Sequence, residues 1–379
     1  MLGEYEWKSI IDGIKDERCV VCIGPELFLL GKEPVNKERS LSFSDYLSNY
    51  LESMEDELNI KVQENGWFHV NPGGNDGPAY QAVKEYYNKI INPTSRKLLE
   101  KIAQIKFHLF LSLTPDNHLD NAFEAHGFSY KSKEYVKNMP ELESDYIPSI
   151  KEPLIYNLLG SLNERNSLVL TYDDFYDYFE SIIKGNSMSR SIKNSILNSQ
   201  YFLFIGMSFH QWFVHLFMRV LRQHKDERKT KFSTAGNLSD KDIHICTEQY
   251  QIQFVNSEIS EFINQLHAKC KENGLLKKIK DPQEKKKQNS SKIESLQVLI
   301  SRNNFDKVTD VLKESLKGIG KNGKELLIKL INQFSDYNKL KEHRQVGIIS
   351  LEEERRGLKL IAYNYLELIN EYEKLIENL

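Results

Sequence analysis

Four stretches put glycine, hydroxyl or carboxyl groups directly after apolar runs, where a buried strand would deliver a polar group to a ligand. The first is CVVCIGPELF, with Gly24 and Glu26. A glycine after a buried strand lets backbone amides approach a phosphate. Here there is one glycine, Pro25 has no amide proton and Glu26 would repel an anion, so a plain tight turn is an equal reading. The second, FHLFLSLTPDNHLDNAF, ends in Thr114 and Asp116. Thr114 suits contact with a ribose or a water, and Asp116 suits the N-cap of the next helix. The third, PLIYNLLGSLNERNSLVLTYDDF, carries Gly160 and Ser161, then Thr171 or Asp173 as a helix cap. The residue before Gly160 is Leu159, which cannot titrate. The fourth, YFLFIGMSFHQWFVHLFMRVL, carries Gly206 and Ser208. A G-x-S there fits either a hydroxyl contact to a nucleotide or a helix cap.

Other candidates are weaker. Cys19 and Cys22 form a C-x-x-C inside an apolar run. Residues three apart on a strand face opposite ways, so the pair reads as core and not as a chelate. His210 and His215 are five apart, which splays them around a helix and argues against a shared metal. No metal site is expected. No G-x-S-x-G elbow, Walker loop or H-E-x-x-H is present.

The elements that must position these residues alternate. Strands are expected at 19–24, 108–113, 154–158, 167–171, 201–206, 243–246 and 252–255. Helices are expected at 44–58, 80–91, 95–105, 118–126, 173–184, 211–222 and 257–269. Continuous apolar runs such as FLFIG suit strands covered on both faces, as in a parallel sheet. The alternation predicts a doubly wound, mostly parallel α/β fold of Rossmann-like type, whose ligands sit beyond the carboxyl ends of the strands. Residues 277–292, KKIKDPQEKKKQNSSK, read as an exposed basic linker. That divides the chain into residues 1–276, the linker and residues 293–379.

Beyond the linker the pattern is helical. Phe305, Val308, Leu312 and Leu316 form one apolar stripe, and Leu326, Leu330, Ile331 and Phe334 another. Ser350-Leu-Glu-Glu353 is a capping box. Leu358, Ile361, Tyr365, Leu368, Tyr372, Leu375 and Leu379 then recur at spacings of three and four, a seam that faces another helix. A small helical bundle that packs on itself or on a partner is expected.

The chain has 379 residues, more than one typical domain. Hydrophobic residues are 40%, charged residues 28% and the net charge is −3, so the bulk balance gives no reason to expect nucleic acid as a partner. Four scattered cysteines exclude a disulfide framework. Neither a secretory leader nor a run of membrane-spanning length is present, and a cytoplasmic location is expected.

Taken in order, the four strand ends resemble a bacterial sirtuin-like domain of the anti-phage defence type, over roughly residues 5–270. Gly24-Pro-Glu-Leu loosely resembles the family's glycine-rich NAD loop. Leu113-Thr-Pro-Asp116 resembles its T-N-Y-D strand end, and Asn157-Leu-Leu-Gly-Ser161 its K-L-H-G-S strand end. Leu170-Thr-Tyr-Asp-Asp-Phe175 matches L-T-x-D-D-(F/Y) closely. Gly206-Met-Ser-Phe-His-Gln-Trp212 resembles the late G-x-S, with Gln211 where aspartate is common. The resemblance implies NAD or an ADP-ribose-type nucleotide held near Gly24, Glu26, Gly160, Ser161, Gly206 and Ser208, with Thr114 and Asp116 at the reaction centre. It also sets two departures. Thr114 stands at the family's asparagine position and Leu159 at its histidine position. A lost general base removes about 10²–10⁴-fold in rate.

The C-terminal segment resembles an effector-associated, death-domain-like adaptor, through Tyr337-Asn-Lys-Leu340, Arg344, Gly347, Ile349-Ser350 and Glu352-Glu353. Such modules recruit proteins that carry a like domain. Together the two resemblances imply an anti-phage defence component that recruits other defence proteins through residues 293–379 and is itself oligomeric, with its sirtuin-like part catalytically degenerate. The alternative they leave is an active NAD hydrolase that depletes NAD on infection.

Overall fold

The computed structural model describes residues 2–30, 41–63, 67–137, 146–184, 188–221, 228–236, 238–278, 282–316 and 320–377. The chain divides into two compact units, Met1–Ile279 and Lys280–Leu379.

The first unit contains strands β1 Cys19–Ile23, β2 Ile60–Val62, β3 Phe68–Val70, β4 Leu109–Ser112, β5 Lys131–Glu134, β6 Leu154–Asn157, β7 Tyr201–Ile205, β8 Thr230–Thr234 and β9 Ile252–Val255. Seven of them form one sheet in the order β5-β6-β4-β1-β7-β8-β9, while β2 and β3 form a separate antiparallel pair. Every pairing in the large sheet is parallel. Parallel strands need helical crossovers, which cover both faces and force the strands to be apolar throughout. β1 shows the consequence: Cys19, Val21 and Ile23 join one core layer, and Val20 and Cys22 the other. The C-x-x-C therefore spans two cores and cannot chelate. From β1 the chain builds outward through β4 on one side and β7 on the other, so a topological switch point lies between β1 and β7.

Several expectations change. Residues 167–171 are not a strand. Arg165–Ser167 is a short 3-10 helix and Thr171 is the N-cap of helix Tyr172–Ile183, in a capping box with Asp174. The Val169 amide is taken by the Leu159 carbonyl at 3.1 Å, so the segment runs as a buried crossing loop. Residues 243–246 lie in helix Asp240–Tyr250, where the buried residues Cys246 and Tyr250 are four apart, the helical spacing. β5 and β8 escaped notice because their sequences, KSKE and TKFST, read as polar. The basic segment is not an extended linker over its length. Helix Pro282–Ser301 runs through it, and the Lys277 amine donates to the carbonyls of Ala103 and Ile105 at 2.7 and 2.6 Å. Those carbonyls end helix Pro93–Gln104, a place where a cation is favoured. Burial holds that amine down to about 7. Residues 279–281 of the expected linker lie outside the described residues.

The second unit contains helices Pro282–Ser301, Phe305–Leu316, Gly320–Gln345 and Leu351–Glu377. Phe305, Val308, Leu312 and Leu316 are all buried, against Leu326, Leu330, Ile361, Tyr365 and Leu368. Ile331 departs from its expected stripe, being 49% exposed, and Tyr337 fills the core instead. The buried hydroxyls of Thr309 and Tyr365 satisfy each other at 2.6 Å. Ser350 and Glu353 form the expected capping box, at 2.8 and 3.2 Å. Among the described residues no helix is long and apolar enough to cross a membrane.

Candidate functional site

The loops after β1 and β7 meet at the switch point and use up each other's backbone groups. The Gly24 amide donates to the Ile205 carbonyl at 2.9 Å, and the Glu26 amide to the Gly206 carbonyl at 3.0 Å. A side chain at Gly24 would stand 2.2 Å from the Gly206 carbonyl oxygen, so glycine is required for this approach. Two of the amides that a phosphate would need are thereby engaged, and Pro25 between them has none. Ser208 is buried and donates to Glu26 Oε1 at 2.6 Å, while the Phe43 amide donates to the same carboxyl. Burial pushes the Glu26 carboxyl above the usual range, against the pull of these two donors. Helix Trp212–Val220 starts at an N-cap on Gln211, so Ser208 is not its cap. Gln211 Nε2 bonds Ser44 Oγ and His210 Nε2, each at 2.9 Å.

Two cavities flank this junction. A cleft of about 490 Å³ opens between the ends of β1, β7 and β8. Glu26, Asp45, Asp242 and Glu258 line it, with His210 and Thr234. Burial pulls the His210 imidazole below its ordinary range, although Asp45 and Asp242 oppose the shift. On the other side lies a hollow of about 70 Å³, walled by Trp67, Leu113, Pro115, Leu159, Val169 and Phe213, with the hydroxyl residues Ser44 and Ser208. The β2–β3 pair positions Trp67, which packs edge-on against Phe175 and Phe213. Nothing in the local sequence pattern marks Trp67 for this place, since it reaches the sheet end only through the tertiary fold.

The expected site residues divide between these surroundings. Glu26 and Gly206 line the cleft, Ser208 lines the hollow, and Leu159 is part of the apolar wall at 8% exposure. Thr114 faces neither. It is buried, with its hydroxyl 2.9 Å from Ser112 Oγ and its amide donating to the same oxygen at 3.2 Å. Asp116 accepts the His118 amide at 2.8 Å, as a cap would, while Asn117 is the N-cap of helix His118–Ala125. The other Asp116 oxygen is buried and has no partner among the described residues. Gly160 serves the turn: its φ is +82° and a side chain there would stand 2.0 Å from the Ser167 carbonyl oxygen. The Ser161 hydroxyl accepts the Asn163 amide at 3.2 Å, a local turn contact. Of the histidines, His210 lines the cleft, while His118 and His108 lie away from both spaces. His118 Nε2 lies 2.9 Å from the Tyr87 carbonyl, and His108 sits just before β4, at the end of the strand opposite the cleft. Among the described residues no group of three potential metal ligands comes together.

Residues 114–255 match the family model of the SIR2-like domain, and residues 291–373 match that of effector-associated domain 11. The chain joins a SIR2-like domain to an effector-associated domain. The first match runs from the end of β4 to the last residue of β9. The Gly24 loop lies outside it, although β1 stands at the centre of the sheet. No curated protein matches the chain.

A SIR2-like domain implies an NAD-type nucleotide, and its pyrophosphate needs free amides or cations. Among the described residues the cleft is lined by four carboxylates and by no lysine or arginine. The amides of Gly24 and Glu26 are already bonded. Of the described residues, the four carboxylates repel a pyrophosphate and these two amides are not free to hold one.

Proposed function

We propose that the chain is a non-hydrolytic SIR2-like component of a prokaryotic antiviral defence system, acting in the cytoplasm, whose effector-associated domain recruits a partner carrying a like domain. The observation that carries this reading is Leu159. By the resemblance it stands at the family's histidine position, and it belongs to an apolar wall beside Ser208. Ser44, Ser208 and Tyr87 are the polar residues of that hollow, and none of them accepts a proton near neutral pH. Tyr87 is held well above its ordinary range by burial. Of the other expected participants, Thr114 is bonded within the β4 turn, and Asp116 is bonded there through one carboxyl oxygen.

The test is release of nicotinamide from NAD by the purified full chain, alone and with a neighbour-encoded protein that bears an effector-associated domain. No release above a buffer blank is expected in either case. Release that stops on Thr114→Ala or Asp116→Asn substitution would establish the opposing reading, an active NAD hydrolase. The same partner is expected to co-purify with the full chain and not with a chain lacking residues 280–379.

A further inference from the structure

Helix Tyr172–Ile183 has two apolar faces, where a surface helix ordinarily has one. Phe175 and Tyr178 are buried in the core. Tyr176, Phe179 and Ile183 recur at spacings of three and four on another face, and are 64, 37 and 70% exposed. Helix Trp212–Val220 lies beside it. Phe175 meets Trp212 at 5.0 Å between ring centres, and Tyr178 meets Phe217 at 5.7 Å, so the two helices run in the same direction. Trp212 is 47% exposed. Exposed apolar residues are ordinary when they occur singly, whereas a band of them across adjoining helices marks an interface. Tyrosine, tryptophan and phenylalanine are the residues enriched at the centre of protein–protein interfaces.

The charges beside the band select its occupant. Asp173 and Asp177 are exposed in the first half of one helix, and Arg219 is exposed at the end of the other. Because the helices are parallel, a two-fold axis through the band brings the Arg219 end of one copy over the Asp173–Asp177 end of the other, and does so twice. The apolar side chains then meet their own image. Their exposed parts amount to about 400 Å² per chain, taking roughly 150–250 Å² for a whole aromatic side chain. A standard interface covers about 800 Å² on each partner, a little over half of it apolar, so the band supplies most of that apolar share. An anionic membrane surface would repel the aspartates. We propose that this band is a two-fold interface between two copies of the chain, closed by Tyr176, Phe179, Ile183 and Trp212 and held in register by each Arg219 against Asp177 of the other copy. The inference gives the expected oligomer a surface and a symmetry, goes beyond the non-hydrolytic reading and does not depend on it.

The test is the mass of the full chain by analytical ultracentrifugation over a wide range of concentration. A dimer, or a multiple of it, is expected. Ile183→Asp places a charge in the band at a side chain that a single copy leaves in water. It is expected to weaken self-association at least tenfold, with an unchanged circular dichroism spectrum. Arg219→Glu is expected to weaken it about fivefold, and Asp177→Arg added to that variant is expected to restore it, since the ion pair is then exchanged across the axis. An assembly whose mass is unchanged by Ile183→Asp would overturn the interface. Failure of Asp177→Arg to restore the Arg219→Glu assembly would overturn the two-fold register. A wild-type chain that stays monomeric at the highest concentration would overturn the second copy as occupant.

Discussion

The cleft and the hollow lie at the same edge of one sheet and differ in almost every physical respect. The cleft is wide and polar, and Glu26, Asp45, Asp242 and Glu258 line it. The hollow is small and closed by side chains that reach it from separate parts of the chain: Trp67, Leu113, Leu159 and Phe213. In a nucleotide-binding α/β fold, phosphate sites and reaction centre adjoin at the switch point. In this chain the wide side is lined by carboxylates and the narrow side by packed apolar side chains. The two linings differ in kind. One is electrostatic and leaves an open space, and the other is steric and leaves almost none.

Substitutions can break or sharpen this contrast. The largest effect is expected at Gly160 beside the hollow. Gly160→Ala adds an atom 2.0 Å from the Ser167 carbonyl oxygen at φ +82°, and should cost about 3 kcal/mol or more in chemical denaturation. A cost below about 1 kcal/mol would show that this turn can yield, and would weaken the picture of a tightly packed hollow.

Leu159→Ala enlarges the hollow and should cost about 2–3 kcal/mol, the loss of a buried leucine with partial collapse around it. The same experiment asks whether Leu159 is packing. A neutral result would mean that the position is not held for stability.

A third test sits at the opposite end of β4. Burial holds the His108 imidazole down to about 4, from an ordinary 6.5. The unfolded chain therefore takes up the proton first as pH falls. The associated stability is fully present above pH 6.5 and is lost between pH 6.5 and 4, on the order of 3 kcal/mol. His108→Gln should flatten that part of a stability-against-pH curve. An unchanged slope would assign it to other groups.

The smallest effect is expected on the open side. Gly236 lines the cleft at φ +53° with nothing within 4 Å of an added side-chain atom. Gly236→Ala should cost only about 1 kcal/mol, the left-handed backbone penalty without a clash. Equal costs at Gly160 and Gly236 would erase the distinction between a packed hollow and an open cleft.

Much of the architecture was legible in the chain. Continuous apolar runs such as CVVCI and YFLFI suit strands covered on two faces, as in a parallel sheet, and both are strands of the parallel sheet here. The capping box at Ser350 is a local hydrogen-bond pattern and came through unchanged. Where signals were short or mixed, reading failed. IHIC looks like a strand until Cys246 and Tyr250 are seen to be buried on one helix face. TKFST looks like a loop, yet β8 buries Lys231 and Ser233.

The chain alone determined which residues could not do acid–base chemistry. Leucine at 159 has no titratable proton in any fold, and Pro25 has no amide to offer. It also determined where buried strands end, because periodicity and glycine placement are local. Only the tertiary structure decided what those ends face. That the amides of Gly24 and Glu26 are taken by the β7 loop, that three helix starts converge on one cleft, and that Trp67 closes the hollow are contacts between residues far apart in sequence. Hydrogen bonds and packing of that kind depend on distance in space, which no local pattern encodes.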